Sequence, residues 1–124
     1  TNGEVPYEAW LVLARLREQL GDRRGAADAL EQAVWVSPYD AEVHQRLAAL
    51  REATGDHAKA VLARQSVVAL APVDRAEALY QLALAHEKAG NAAEARRAVL
   101  QALDEAPNFE KAQELLVRLR GGAR

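Results

Sequence analysis

The stretch that decides the fold is residues 7–38, which read YEAWLVLARLREQLGDRRGAADALEQAVWVSP. Gly21 separates two segments with apolar residues at helical spacing, and glycine readily adopts the left-handed conformation found just past a helix end. Asp22 can cap the second helix by accepting its free backbone N–H groups. Pro38 lacks the N–H that would continue that helix. The stretch therefore predicts two helices joined by a tight connection.

The same residue types return at a regular spacing along the chain. Separations of 34 and then 35 residues relate Gly21, Gly55 and Gly90; Pro38, Pro72 and Pro107; and Ala26, Ala60 and Ala95. Three residue types that share one period indicate a structural repeat. The extra residue falls between Pro72 and Ala76, where an insertion in a loop costs little.

The repeat predicts seven helices whose neighbours are antiparallel, because the connections are short. We expect them near residues 7–20, 23–37, 41–54, 57–71, 75–89, 92–106 and 109–120. The candidate N-caps are Asp22, Asp40, Asp56, Asp74, Asn91 and Asn108. Alanine supplies 28 of the 124 residues, and this small, helix-favouring side chain argues for closely packed helices rather than sheets.

Composition excludes several classes of function. The chain has no cysteine, so it forms no disulfide, no thiolate metal site and no cysteine nucleophile. Its formal charge of -2 favours neither nucleic acid nor an anionic membrane surface as a partner. No apolar run approaches the roughly 18 residues that a membrane-spanning helix needs. The protein is expected to be soluble, and a cytoplasmic and a periplasmic location are both compatible with the sequence.

Two biases in composition concern the origin of the chain. It has thirteen arginines but three lysines, a ratio typical of GC-rich coding, which suggests a bacterial source. It has no methionine at all, which suggests a piece of a longer protein.

The apolar and small residues of each repeat occur in the same order. The first repeat has Trp10, Leu13, Ala14, Arg17, Ala26, Leu30 and Pro38; the second has His44, Leu47, Ala48, Arg51, Ala60, Arg64 and Pro72; the third has Leu79, Leu82, Ala83, His86, Ala95, Val99 and Pro107. This order resembles the tetratricopeptide repeat, W-x2-L-G-x2-Y…A-x3-F…P. The resemblance covers about residues 7–120. It implies an all-α fold of antiparallel helix hairpins stacked into a right-handed superhelix, in which small alanines let paired helices approach closely.

Four residues depart from the family pattern. Arg17, Arg51 and His86 occupy its first aromatic position, and Arg64 occupies the later one. An arginine there can lay its aliphatic stem over apolar neighbours and leave its charged head in water. Alternatively, it can anchor a carboxylate of a partner.

The resemblance divides the chain into three repeats and a closing helix. We expect a linker at residues 1–6, one domain with repeats at about 7–40, 41–75 and 76–109, a capping helix at 109–120 and a frayed tail at 121–124. Ala112, Leu116 and Leu119 of the capping helix are expected to pack on the third repeat, since an open end exposes apolar surface. Leu115 is expected to close the far end of a groove instead.

The resemblance further implies a concave groove lined by the first helix of each repeat. The residues expected to face it are Leu11, Arg15, Glu18, Gln45, Arg46, Ala49, Glu52, Tyr80, Gln81, Leu84, Glu87 and Lys88. Apolar anchors beside charges suit an extended or helical peptide, and the alternative is an ordinary solvated helix face. One branch of the family clamps chaperone C-termini with lysine and asparagine. Leu11 and Arg15 stand where that clamp begins and Gln81 replaces a basic residue, so we predict against that ligand.

Trp35 is a candidate for a second interface. It lies between Val34 and Val36 on the second helix of the first repeat. Because both valines are expected on the packing side, Trp35 is expected to point partly outward, where tryptophan can anchor an interface. Alternatively, it packs against the neighbouring second helix or against arginine stems such as Arg64.

These features favour a protein-interaction module that binds a peptide or protein segment and serves as a scaffold or adaptor. The alternatives are homo-oligomerisation through the first repeat and Trp35, or a non-catalytic accessory domain of a larger enzyme. The three histidines lack the i, i+4 spacing of a helical metal site, and His44 is expected in the core. Ser37 and Ser66 have no base nearby in the sequence. We therefore expect no catalysis, no cofactor and no metal, and neither nucleic acid nor membrane insertion.

Overall fold

The computed structural model describes residues 5–70 and 72–122, and this part of the chain contains helices and no strand. The helices are α1 (Tyr7–Gln19), α2 (Arg23–Val36), α3 (Ala41–Ala53), α4 (His57–Ala69), α5 (Arg75–Lys88), α6 (Ala92–Glu105) and α7 (Glu110–Gly122). All seven predicted helices are present, with ends within two residues of the expected ones. The prediction of an all-α fold is confirmed.

The helices form two compact units, one that extends to Ala63 and one that begins at Arg64. In the first unit α1 packs against α2, and α2 packs against α3. In the second unit α5 packs against α6, and α6 packs against α7. None of the helices in the described residues is long and apolar enough to span a membrane.

The three repeated glycines end helices as the sequence predicts. Gly21, Gly55 and Gly90 have φ angles of 81°, 78° and 83°, the left-handed region that side chains with a Cβ disfavour. At the first of these turns, the N–H of Asp22 donates to the carbonyl of Arg17 at 2.8 Å. The equivalent bonds, Asp56 to Arg51 and Asn91 to His86, have the same length. This repeated cap satisfies carbonyl groups that the helix end would leave unpaired.

Three of the predicted N-caps are confirmed by their hydrogen bonds. The carboxylates of Asp22, Asp40 and Asp74 accept the backbone N–H of Gly25, Glu42 and Glu77 at 2.9, 3.1 and 3.0 Å. Asn91 occupies the N-cap position of α6 as predicted, but its side chain makes no capping hydrogen bond. Its Nδ2 lies instead 3.5 Å from Nδ1 of His86.

The recurring alanines mark the tightest packing positions. Ala14, Ala26, Ala48, Ala60, Ala83 and Ala95 have no exposed surface. A methyl group at these positions fills the space between paired helices without holding them apart, and native interiors leave little room for more. The expected role of these alanines is confirmed.

The closing helix differs from the prediction in its rotation and its end. Leu115 is fully buried with Ala112 and Leu119, whereas Leu116 is half-buried. The assignment of Leu115 to a groove is therefore wrong, because residues at i+3 and i+4 both follow helical spacing and the period alone does not choose between them. The helix continues to Gly122, beyond the expected end at Arg120. The remaining tail residues 123–124, and residues 1–4 of the expected linker, lie outside the described residues.

Candidate functional site

The residues expected to face a groove lie on α1, α3 and α5. The first unit carries Leu11, Arg15, Glu18, Gln45, Arg46, Ala49 and Glu52, and the second unit carries Tyr80, Gln81, Leu84, Glu87 and Lys88. All twelve side chains keep solvent-exposed surface. Apolar and charged groups are interleaved in both sets, so each face offers a mixed contact surface.

An ion pair joins two of the predicted residues in the first unit. Nη2 of Arg46 on α3 lies 3.1 Å from Oε1 of Glu18 on α1. Both side chains are partly exposed, so the pair contributes little to stability. The pair does reduce the positive charge that this face offers to a partner, because the guanidinium of Arg46 already lies beside the carboxylate of Glu18 in the same unit.

A second ion pair on the α5 face involves a residue of the closing helix α7. Arg118 on α7 donates through Nη2 and Nε to the two carboxylate oxygens of Glu87, at 2.7 and 2.9 Å. This bidentate pairing lowers the pKa of Glu87 below its ordinary value, and it raises the pKa of Arg118. The face of α5 therefore continues onto α7 through this pair.

The aromatic residue predicted on α5 has a ring partner. The ring centroids of Tyr80 and Phe109 lie 5.2 Å apart, with the planes tilted by 54°. Such tilted pairs are favourable, because the edge of one ring approaches the face of the other. This ring contact holds Tyr80 in place, so its side chain is not free in solvent. On the same helix, Oε2 of Glu77 accepts a hydrogen bond from Nε2 of Gln81 at 2.7 Å.

A pocket that the sequence did not predict lies beside this aromatic pair. Its volume is about 460 Å³, and its lining residues are Asp74, Ala76, Glu77, Ala106, Pro107, Asn108 and Phe109. The start of α5 and the connection between α6 and α7 form its walls. About 30 residues separate these two segments, so no local pattern could reveal the pocket. The sequence singled out Pro107 as the proline of the repeat and Asp74 and Asn108 as candidate N-caps, but not that these residues share a pocket.

Trp35 points into solvent, with 80% of its surface exposed. Packing against a neighbouring helix, the alternative considered from the sequence, is therefore wrong. Tyr39 is 82% exposed, and Val36 is exposed as well, contrary to the expectation that it packs. Val34 alone of the two valines packs against the core of the first unit. Two exposed aromatic side chains thus stand four residues apart.

The arginine at the aromatic position of the second repeat is buried. Arg51 is 4% exposed, and its Nη2 lies 3.2 Å from Asp28 and 3.0 Å from Glu31. Its Nη1 lies 3.8 Å from Asp56. The expectation that the charged head stays in water is wrong here, and so is the alternative of a partner's carboxylate. The partners belong to α2 and to the residue before α4. Two of them, Asp28 and Asp56, line a polar pocket of about 410 Å³ together with Arg51.

Two further departures from the family pattern, Arg17 and His86, and the core residue His44 have local roles. Arg17 donates to the carbonyl of Gly25 at 2.8 Å. His44 is buried as expected, and its Nε2 lies 2.8 Å from the carbonyl oxygen of Pro38. His86 is also buried, and this burial lowers its pKa, although Glu94 opposes the shift. Across residues 5–70 and 72–122, no group of three or more His, Asp or Glu side chains could hold a metal ion.

Comparison with known proteins gives the family of the repeats. Models described as "Tetratricopeptide repeat" match residues 7–40 and residues 76–109, together more than half of the chain. No curated protein sequence matches the chain significantly.

Solved structures with the same fold are also known. The 41-end segment of MamA from Desulfovibrio magneticus RS-1 is 23% identical with a TM-score of 0.76, over 95% of this chain and 66% of that one. The N-terminal domain of stress-induced protein-1 from C. elegans is 18% identical with a TM-score of 0.75, over 92% and 94% of the two chains. The first TPR of Spaghetti (RPAP3), bound to the HSP90 peptide SRMEEVD, is 19% identical with a TM-score of 0.73, over 98% of each.

Proposed function

Since the chain belongs to the tetratricopeptide-repeat family, we propose that it is a protein-interaction module that binds a peptide or protein segment on its first-helix faces. These faces are the exposed sides of α1 and α3 in the first unit and of α5 in the second. The module serves as a scaffold or adaptor and has no catalytic role of its own.

The observation that carries this proposal is the set of apolar side chains left partly uncovered among charges. Leu11 on α1, Ala49 on α3 and Leu84 on α5 all keep exposed surface on these faces. Apolar anchors supply most of the binding energy of an interface, and the surrounding charges set its register. A domain of the same fold, that of RPAP3, binds a peptide, which supports the same kind of function here.

The charge pattern argues against an acidic chaperone tail as the ligand. Arg46 and Arg118, two arginines on or beside these faces, already pair with Glu18 and Glu87. An incoming carboxylate would have to displace a partner that is held in place within the same unit, and such competition lowers affinity. The proposal therefore keeps the prediction against that ligand, which rests on Leu11, Arg15 and Gln81 in the sequence.

Photo-crosslinking from single positions tests the proposal. A photoreactive amino acid replaces Gln45 on α3, and a matched variant carries it at Gln101 on α6, where the side chain is also exposed. In the native cell, we expect the Gln45 probe to capture a partner and the Gln101 probe to capture none. Equal capture from both positions would contradict the proposed face.

Substitutions within the second unit complete the test. Leu84→Glu places a charge on the α5 face, and Leu100→Glu places the same charge at an exposed position of α6. We expect the first variant to release the captured partner and the second to retain it. Both variants must keep the helical circular dichroism of the unmodified chain.

A second candidate function is self-association through Trp35 and Tyr39. Exposed aromatic side chains are common anchors of interfaces. Here Trp35 lies in the last turn of α2, and Tyr39 lies in the connection that follows it. Light scattering over a range of concentrations would show a mass that rises for the unmodified chain and stays that of a monomer for Trp35→Ser. A chain that is monomeric at every concentration rules this candidate out.

A further inference from the structure

The pocket at the start of α5 combines an apolar wall with two carboxylates. Ala76, Ala106, Pro107 and Phe109 supply the apolar wall, and Asp74 and Glu77 supply the charge. Its volume of about 460 Å³ lies within the range of pockets that hold ligands or large side chains. The lining contains neither lysine nor arginine, so its formal charge is negative.

The two carboxylates are held in place but have no counter-charge. Oδ1 of Asp74 accepts the N–H of Glu77 as the cap of α5. The Glu77 carboxylate does not complete a reciprocal cap; it accepts from Gln81 instead. Among the residues that the structure describes, no lysine or arginine forms an ion pair with either carboxylate.

Two arginines of the second unit, Arg75 and Arg118, are committed elsewhere. Nε of Arg75 lies 3.2 Å from Oε1 of Glu105, and its Nη1 donates to the carbonyl of Val68 at 3.4 Å. Arg118 is held by Glu87. The positive charge that would complement the pocket is therefore not supplied by these arginines of the second unit.

The wall of the pocket is aromatic on one side. Phe109 lines it, and the ring of Tyr80 lies against Phe109 and supports its position. A guanidinium group stacks well on an aromatic face and can at the same time donate two hydrogen bonds to a carboxylate. An ammonium group is more strongly hydrated and does not stack in this way.

We propose that this pocket receives an arginine side chain of the bound partner. The aliphatic stem lies along Ala76 and Pro107, the guanidinium stacks on Phe109, and Glu77 accepts its hydrogen bonds. The inference rests on the proposed function because a bound segment must present the arginine. It adds the chemical class of that segment, which carries a basic rather than an acidic residue where it meets the start of α5.

The inference can be tested without knowing the partner. The probe is N-acetyl-arginine methylamide, titrated into the full ¹⁵N-labelled chain and followed by amide chemical shifts. We expect saturable shifts at residues 74–77 and at Ala106, Asn108 and Phe109. The citrulline counterpart has nearly the same shape but no charge, and we expect it to bind about two- to fivefold more weakly, as the loss of a partly exposed ion pair predicts.

Variants assign the effect to the pocket. Glu77→Gln should weaken binding of the arginine probe by about two- to fivefold and remove its preference over citrulline. The matched control is Glu42→Gln, which removes the same charge from the first turn of α3 and should leave binding unchanged. Phe109→Leu keeps the pocket apolar but removes the aromatic face, so it should weaken binding of the arginine probe more than that of a lysine probe.

Three outcomes overturn the inference. They are the absence of saturable shifts, equal binding of the arginine and citrulline probes, and an unchanged affinity in Glu77→Gln. The probe needs no partner, so such a failure leaves the photo-crosslinking result from Gln45 intact. Conversely, a failure of that crosslinking leaves the behaviour of the pocket toward arginine unaffected.

Discussion

Nη2 of Arg51 lies 3.0 Å from Oε2 of Glu31, and the arginine side chain is almost completely buried while the glutamate remains partly exposed. Asp28 and Asp56 approach the same guanidinium. The arginine thus ties the second helix of the first repeat to the first helix of the next, where the family pattern places an aromatic ring. Its charge is matched by carboxylates that are themselves accessible to water.

Arg51→Ala is expected to destabilise the protein by about 2 kcal/mol, mainly because it removes a buried side chain and leaves its space unfilled, and in addition because it leaves three like charges together. Arg51→Met fills the same space without charge and should cost only about 1 kcal/mol. Urea unfolding followed by circular dichroism measures both. Arg97→Ala, at an exposed pair with Glu94, is the control and should change stability by less than about 0.5 kcal/mol. A cost for Arg51→Ala no larger than that of the control would show that the buried charge is unimportant.

Gly55→Ala is expected to destabilise the protein by about 1 kcal/mol. The glycine has a φ of 78°, and a Cβ there would meet no atom within 4 Å, so the cost comes from the backbone alone. Gly121→Ala is the matched control, since Gly121 is helical and equally open. Alanine there should stabilise the helix, by up to about 1 kcal/mol. Thermal unfolding of the two variants should therefore shift in opposite directions.

Ala48→Leu is expected to destabilise the protein by about 2 kcal/mol or more, because Ala48 has no exposed surface between its neighbours and a larger side chain overpacks that space. Ala49→Leu makes the same chemical change one residue later on an exposed face. Its effect on the unfolding free energy should stay within about 0.5 kcal/mol. Similar costs for the two variants would contradict the packing role of the repeated alanine.

The pairing of Glu87 with Arg118 should make stability depend on acid pH. The folded pKa of Glu87 is lower than its unfolded value of 4.5, so the pair contributes stability above that pH. This contribution is lost as the pH falls through the folded pKa. Because both side chains are partly exposed, the coupling should be no more than about 1 kcal/mol. A double-mutant cycle with Glu87→Gln and Arg118→Gln at neutral pH and in acid measures it, and a coupling that persists in acid would contradict this assignment.

Much of the fold could be predicted because its signals are local. A helix end depends on the conformation of one residue and the hydrogen bonds of its neighbours, so Gly21, Gly55 and Gly90 and the caps at Asp22 and Asp74 were readable in sequence. The rotation of a helix was less certain. Leu115 and Leu116 both fit the period of α7, and packing on α6 decides which one is buried.

The sequence by itself determined the repeat, the seven helices and the alanines at which they meet, because period and backbone preference act over a few residues. Only the tertiary structure decided which charges pair, that Trp35 stands in solvent, and that Asp74 and Phe109 line one pocket. These relationships join residues 20 or more positions apart or depend on how a helix is rotated against its neighbours. Coulombic attraction, burial and pocket shape depend on distances in space, and the chain sets those distances only once its helices have packed.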